Sequence, residues 1–427
     1  MISKAKQLFY SINRRDGAWV LVASVTEKLI NFLLIAFASR WLGITHFGEF
    51  VYVRSVVASL LPFGGGGGNH AILRFGAITK HEAEKQGYFY SSLFYGTVFS
   101  LIIIGVLLVS DALFTITKSV VSSQMITLYS FFILCFSLYD LIRNYYRIRN
   151  DNKSFAYISM TQSLLSISLG VIGLLFFGYL GFLFFLVISP LLVFVFWVRN
   201  SLKRFQLPEF DRRFWAYGLS VGVGAFINQF TMNADILLLG YYTIPSEQIA
   251  VYKTATIILY SLFFIPSAFM TRDFTTLAAS AEDQSILLTY LKQYYKYALF
   301  LLAVFVPLYL LFSEEVIILI FGEQYAPPYQ IQNIFLIAFV SSVLLRIPFG
   351  TLLNSSGKAG WNVVNAVVSL PIGVGLLHYL IQMDGIRGAA FAMSALFTFS
   401  GLLSMGLFFY YIFLYTRTAV DREDGRA

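Results

Sequence analysis

The sequence predicts an all-α polytopic membrane protein of about 12 transmembrane helices, in two parallel-repeat lobes of about six helices around a central cleft. Three observations carry this: an apolar composition, a succession of runs of membrane-spanning length, and a correspondence between the two halves. Of the 427 residues, 58% are hydrophobic and only 12% charged, against about 25% charged in a soluble domain. Mean hydropathy is +0.73. The net charge of +8 does not point to nucleic acid. Its basic residues gather in short connections between apolar runs, the positive-inside pattern. The single cysteine, Cys135, lies inside an apolar run, so no disulfide framework is expected.

The apolar runs are about 20 residues long, enough to cross about 30 Å of hydrocarbon, and only α-helices suit them. In the first half they fall at 17–39, 47–72, 87–109, 121–142, 155–177 and 180–198. In the second they fall at 214–241, 246–269, 286–312, 331–353, 362–382 and 388–415. The N-lobe is thus expected at 1–198, a cytoplasmic linker at 199–213, the C-lobe at 214–415 and a cytoplasmic tail at 416–427.

Charge sets the orientation. Lys4, Lys6, Arg14 and Arg15 precede the first run. The even-numbered connections hold Arg74, Lys80 and Lys85, then Arg143, Arg147, Arg149 and Lys153, then Arg199, Lys203, Arg204, Arg212 and Arg213. The odd-numbered ones hold only Arg40, Lys118 and Arg387. Both termini are therefore expected in the cytoplasm. The basic N-terminus lacks the short apolar core and small-residue site of a signal peptide, so the first span is expected to stay uncleaved.

An internal repeat organises the chain. Leu42-Gly43 followed by VYVRSVVASLLPF corresponds to Leu239-Gly240 followed by VYKTATIILYSLFFIP. Val51-Tyr52 and Val251-Tyr252 are 200 positions apart, and Trp19 and Asn31 fall 196 and 197 positions before Trp215 and Asn228. The turn RNDNKS with Lys153 corresponds to NSSGKA with Lys358, and Gly178 and Gly181 to Gly385 and Gly388. An even number of spans per repeat keeps both halves in the same orientation.

No catalytic constellation is present. His46, His70, His81 and His378 are scattered, no Walker A run occurs, and Gly64 to Gly68 follow a membrane helix rather than a strand. What remains are ionisable groups inside apolar spans, which are costly unless they face a cavity or a partner. The first span carries Glu27 and Lys28, with Asn31 on the same face as Lys28. The second carries Arg54, with Pro62 and the five glycines below it. A polar stripe of Gly224, Asn228, Thr231 and Asp235 runs along the seventh, and the eighth has Lys253 with Pro266 below.

The repeat makes Arg54 and Lys253 near equivalents, one cation from each lobe on an electropositive cleft. Lys28, Arg54, Lys253, Asn31 and Asn228 are the candidate cavity residues. Glu27 and Asp235 are candidates for a counter-ion or for H+ or Na+ coupling; no other cofactor is expected. Glu27 with Lys28, and Asp140 with Arg143, could equally be internal pairs. Lys292, Lys296 and Arg346 either snorkel to the interface or capture an anion there. The glycines read as close packing or flexing near one end of the cleft.

RWLGITHFGEFVYVRSVVASLLPFGGGGGNHAILRFGA resembles the start of the bacterial polysaccharide-export flippases of the O-antigen repeat-unit type. So do VIILIFGEQYAPPYQ, and LLNSSGKAGWNVVN followed by DGIRGAAFA. The resemblance implies the superfamily that also holds multidrug-and-toxin exporters and lipid II flippases, folded as two six-helix lobes around a central cleft. Members that move lipid-linked sugars carry cations on the first, second and eighth helices, where Lys28, Arg54 and Lys253 fall. Lipid II flippases add two C-terminal helices forming a groove for the lipid tail, and the spans counted here include no such pair.

The activity implied is translocation of an undecaprenyl-pyrophosphate-linked oligosaccharide across the bacterial inner membrane, without catalysis. The lipid bilayer, an O-antigen polymerase and a chain-length regulator are the partners that follow. A multidrug exporter of the same superfamily is the first alternative, though organic cations favour an acidic lumen. An O-antigen polymerase or ligase is the second, but the longest expected periplasmic loop, 313–330, is short for one.

Overall fold

The computed structural model describes residues 17–199, 210–279, 283–326 and 329–424. Among these, helices account for nearly all of the chain and no strand occurs. The basic residues Lys4, Lys6, Lys203 and Arg204, and most of the expected linker, lie outside the described residues. Contacts divide the chain into two compact units, Met1–Asn233 and Ala234–Ala427.

The first unit contains α1 (Gly17–Leu42), α2 (Ile44–Leu60), a tight stretch Leu61–Gly67, α3 (Gly68–Ile78) and α4 (Glu82–Phe114). It continues with α5 (Val120–Tyr129), α6 (Phe132–Ile148), α7 (Asn152–Val198) and the start of α8 (Arg212–Tyr241). Phe214 and Trp215, at the start of α8, are 0% and 2% exposed in the same core as Phe89, Tyr139 and Tyr145. That packing is why the division falls inside α8. Large apolar side chains face outward, such as Phe176 at 75% and Val106 at 61% exposure, as a lipid-facing surface requires.

The second unit completes α8 and adds α9 (Ser246–Leu262), α10 (Phe264–Arg272), α11 (Phe274–Ala279) and α12 (Gln284–Phe321). Then follow α13 (Tyr329–Ser341), a π turn Ser342–Arg346, α14 (Ile347–Ser355) and α15 (Ala359–Asp424). Among the described residues, 8 helical stretches are long and apolar enough to span a membrane. The expected spans at 47–72 and 214–241 are outside that set: the first is broken at its glycines, and the second holds the polar residues of α8.

Two of the eight are double. At Gly178 the backbone takes φ 66, ψ −155 inside α7, and Gly173 and Gly181 then meet backbone to backbone. Eight residues of straight helix would hold them about 12 Å apart, so the chain doubles back there. In α15 the same reversal occurs at Asp384 and Gly385 (φ 52, ψ −129), and Gly388 meets the Leu380 backbone. Each double helix therefore supplies two expected spans.

The repeat is thus built into the geometry of both units. Gly178 and Gly385 are 207 positions apart, as are Gly181 and Gly388. The turn before each double helix keeps the same spacing. Asn150 (φ 58) and Gly357 (φ 72) are its left-handed residues, and Asp151 N bonds to Tyr146 O as Lys358 N does to Leu353 O. These are helix C-terminal motifs that satisfy orphan carbonyls. The register here is two residues beyond the one given by pairing Lys153 with Lys358.

The glycine run has a different function. Gly65, Gly66 and Gly67 have φ of 71°, 58° and 79°, three successive left-handed residues, a conformation that costs other L-residues roughly 1–2 kcal/mol each. Each also faces a different neighbour. A Cβ on Gly65 would lie 2.6 Å from Ser137 Oγ of α6, one on Gly66 would enter the Phe99 ring of α4, and one on Gly67 would overlap the Gly218 carbonyl of α8. Gly65 N donates to Ser100 Oγ at 2.9 Å. The run is therefore where three helices come closest to the second span, and it lets that span unwind and restart as α3.

Gly67→Ala combines backbone strain with a backbone clash and is expected to cost about 3 kcal/mol or more. Gly105→Ala, in open space on α4, is expected to be neutral or slightly stabilising. Thermal-unfolding midpoints of the two variants in detergent check this; equal midpoints would contradict it.

Candidate functional site

The first unit holds a partly open cavity of about 320 Å³. Its polar wall comes from α1 and α2. Glu27, Lys28 and Asn31 line it from consecutive turns of α1, and Arg54 lines it from α2 beside Ala58. Ser55 and Ser59, next to Arg54, are 4% exposed, and Ser59 Oγ folds back onto the Ser55 carbonyl at 2.8 Å. Small side chains on this face leave room for the guanidinium. The lining also includes the aromatic side chains Tyr129, Phe132 and Phe136, and Gln229 of α8.

The structure thus brings four of the expected site residues, Glu27, Lys28, Asn31 and Arg54, into one cavity. Asn228 is exposed and does not line it; Gln229, one residue further round α8, does. Among the described residues, no carboxylate lies within ion-pair distance of Lys28 or Arg54. A cavity lined by two such cations and by aromatic side chains suits an anion carrying an apolar or ring-shaped substituent.

Glu27 is not a free acid. Its Oε2 lies 3.8 Å from Arg143 Nη1, and Arg143 Nη2 lies 2.6 Å from Asp140 Oδ1. The two internal pairings read from the sequence therefore become one cluster, with Arg143 serving both acids and Lys28 left to the cavity. Asn144 Nδ2 donates to Asp140 Oδ2 at 3.0 Å and to the Asn69 carbonyl at 3.2 Å. Asn69 Nδ2 in turn donates to the Ser137 carbonyl at 3.0 Å. This polar chain runs from the cavity to the first turn of α3, just past the glycines. Asn69, Asn144 and Gln229 gave no signal in the sequence, because a single amide on an apolar helix has no pattern.

In the second unit, Asp235 is 2% exposed. Its Oδ2 accepts the Tyr252 hydroxyl at 2.9 Å and its Oδ1 accepts Ile236 N at 2.8 Å. Lys253, on the next residue from Tyr252, holds its Nζ 5.3 Å from the Tyr260 ring centre. Arg346 lies over Phe397, 4.9 Å from the ring centre. Lys292 and Lys296 are both exposed on α12, the placement a snorkelling pair adopts.

The Arg143–Asp140 pair has side chains only 21% and 17% exposed, where removing one partner leaves a poorly solvated charge. Asp140→Ala is expected to lower stability by about 3 kcal/mol, with part of the loss recovered in the Asp140→Ala/Arg143→Ala double variant. Detergent melting curves of the cycle decide it, and purely additive losses would rule the coupling out.

Comparison with known proteins places this geometry. The sequence matches the polysaccharide biosynthesis protein family over residues 14–272, more than half of the chain. No curated protein matches the sequence at a significant level. Among solved structures, a lipid II flippase MurJ in an inward closed conformation aligns with a TM-score of 0.72 at 13% identity, covering 90% of this chain and 86% of that one. A multidrug resistance MATE family transporter of the MOP superfamily, in an inward-facing conformation, aligns at 0.69 and 14% identity, covering 92% and 96%. A MATE structure in the bent conformation gives 0.64 at 16% identity, covering 95% and 97%. At these identities the likeness establishes the fold alone, the multi-pass helical fold that those solved structures share. By the sequence match, the chain belongs to the polysaccharide biosynthesis protein family.

Proposed function

We propose that the protein is a flippase that moves an undecaprenyl-pyrophosphate-linked oligosaccharide, an O-antigen or related repeat unit, from the cytoplasmic to the periplasmic leaflet of the inner membrane. The observation that carries the proposal is the cavity of the first unit, where Lys28 and Arg54 have no carboxylate partner among the described residues. Dragging a pyrophosphate through hydrocarbon is prohibitive unless its water is replaced by other charges or dipoles. Lys28, Arg54 and Asn31 supply those for the headgroup. The ring faces of Phe132 and Phe136 suit the C–H faces of sugars, while the polyprenyl tail stays in lipid.

In this reading both termini face the cytoplasm and the lobes alternate access. Outward movement of negative charge is favoured by roughly 2.3 kcal/mol per charge per 100 mV, inside negative. In this reading Glu27, which lies beside Arg143, is a counter-ion, and Asp235 is the carboxylate for H+ or Na+ coupling. The same pairing argues against an exporter of organic cations, since it leaves the cavity lining without an unpaired acid. A polymerase and chain-length regulator would then take the flipped product.

In proteoliposomes with a defined lipid-linked glycan, Arg54→Ala and Lys28→Ala are each expected to slow translocation about tenfold or more, the worth of one charge-assisted contact. Arg54→Lys is expected to retain part of the rate. Unchanged rates in both alanine variants, at equal reconstitution, would refute the proposal.

A further inference from the structure

The second unit contains a distortion that the cavity does not explain. Between α13 and α14, residues Ser342–Arg346 form a π turn, and the Ile347 N–H bonds to Ser342 O five residues back. Pro348 follows and has no N–H, so the carbonyls four and five residues before it, Leu344 and Val343, lose their donor within the helix. Two adjacent tyrosines of α12 replace it. Tyr294 Oη donates to Val343 O at 2.6 Å and Tyr295 Oη donates to Leu344 O at 2.7 Å.

On another side, α15 is cut to fit the bulge. A Cβ on Gly401 would lie 2.7 Å from Leu345 Cβ and 3.2 Å from Arg346 N. Ser341 Oγ and Thr398 Oγ1 are joined at 2.8 Å just before the turn. Proline, two hydroxyls and a glycine, drawn from three helices, thus hold one extra residue in place.

That residue decides where Arg346 points. An α-helix advances about 100° per residue, so without the bulge the side chain would leave its site. With it, the guanidinium lies over the Phe397 ring at 4.9 Å, and no carboxylate pairs with it among the described residues. A π–cation contact occupies one face of a guanidinium and leaves its N–H edge available for a bidentate anion.

We propose that Arg346 is an anion-binding residue of the second unit, taking a phosphate ester, and that Tyr294 and Tyr295 are its positioning residues. The inference rests on the flippase reading, in which that anion is the pyrophosphate of the lipid-linked substrate. Tyr294→Phe/Tyr295→Phe removes the donors without changing shape, and Pro348→Ala returns an N–H to the helix and favours its regular form.

The test measures a short-chain polyprenyl pyrophosphate binding to purified full-length variants, alongside their melting midpoints. The tyrosine pair and Arg346→Gln are each expected to weaken binding about fivefold or more, with no further loss when combined. Adding Pro348→Ala to the tyrosine pair is expected to restore the midpoint but not binding. Recovery of binding as well, or a tyrosine pair that lowers the midpoint alone, would overturn the positioning role. Lys28→Ala and Arg54→Ala run in parallel separate the two readings. If they weaken binding and Arg346→Gln does not, the assignment of Arg346 fails alone. If they do not weaken it, the flippase reading fails first.

Discussion

A guanidinium or ammonium group inside a membrane protein must find water, an acid or an aromatic face, because hydrocarbon offers none of these. This chain uses all three, and its architecture follows from how they are distributed. Arg143 takes acids, with Asp140 and Glu27 on either side of it. Arg346 takes a ring, Phe397, and Arg74 takes Tyr217 at 4.6 Å. Lys28 and Arg54 take a cavity. The last solution is the expensive one, since it requires the surrounding helices to leave space open, and it is the one on which the proposed function rests.

The open space is kept by the same parts that shape the second span. Arg54 lies on α2, which ends at the glycine run, and the chain Glu27–Arg143–Asp140–Asn144–Asn69 ties the cavity wall to the restart of that span as α3. The left-handed glycines let α4, α6 and the start of α8 approach where any side chain would collide. Packing of this kind transmits displacement, because a backbone contact has no rotamer to absorb it.

Much of this was legible in the sequence, for identifiable reasons. Span lengths and the positions of Gly178 and Gly385 gave the two hairpins, because apolar runs and left-handed glycines are strong local signals. The repeat was visible, though its register near the hairpins needed the turn geometry at Asn150 and Gly357 to fix it at 207 rather than at the 205 of Lys153 and Lys358. Arg54, Lys28 and Asn31 stood out because charge and amide are rare in such spans.

What was not legible depends on contacts far apart in the chain. Tyr294 and Tyr295 gave no signal in the sequence, because their hydroxyls serve carbonyls 49 residues away. The sharing of Arg143 between two acids, and the choice of Gln229 over Asn228 for the cavity, depend on helix rotation, which periodicity alone leaves loose by about one residue. The glycines were conspicuous, but each one's purpose lies in a different neighbouring helix.

The central claim is that the cavity of the first unit is wet and receives an anionic lipid headgroup. It is tested most directly with Ala58→Cys, a lining position beside Arg54, in a Cys135→Ala background that leaves both cations in place. A charged, water-soluble thiol reagent should modify this cysteine, and a polyprenyl pyrophosphate should slow the modification while the uncharged polyprenol does not. No modification from water, or equal protection by both lipids, would contradict the account.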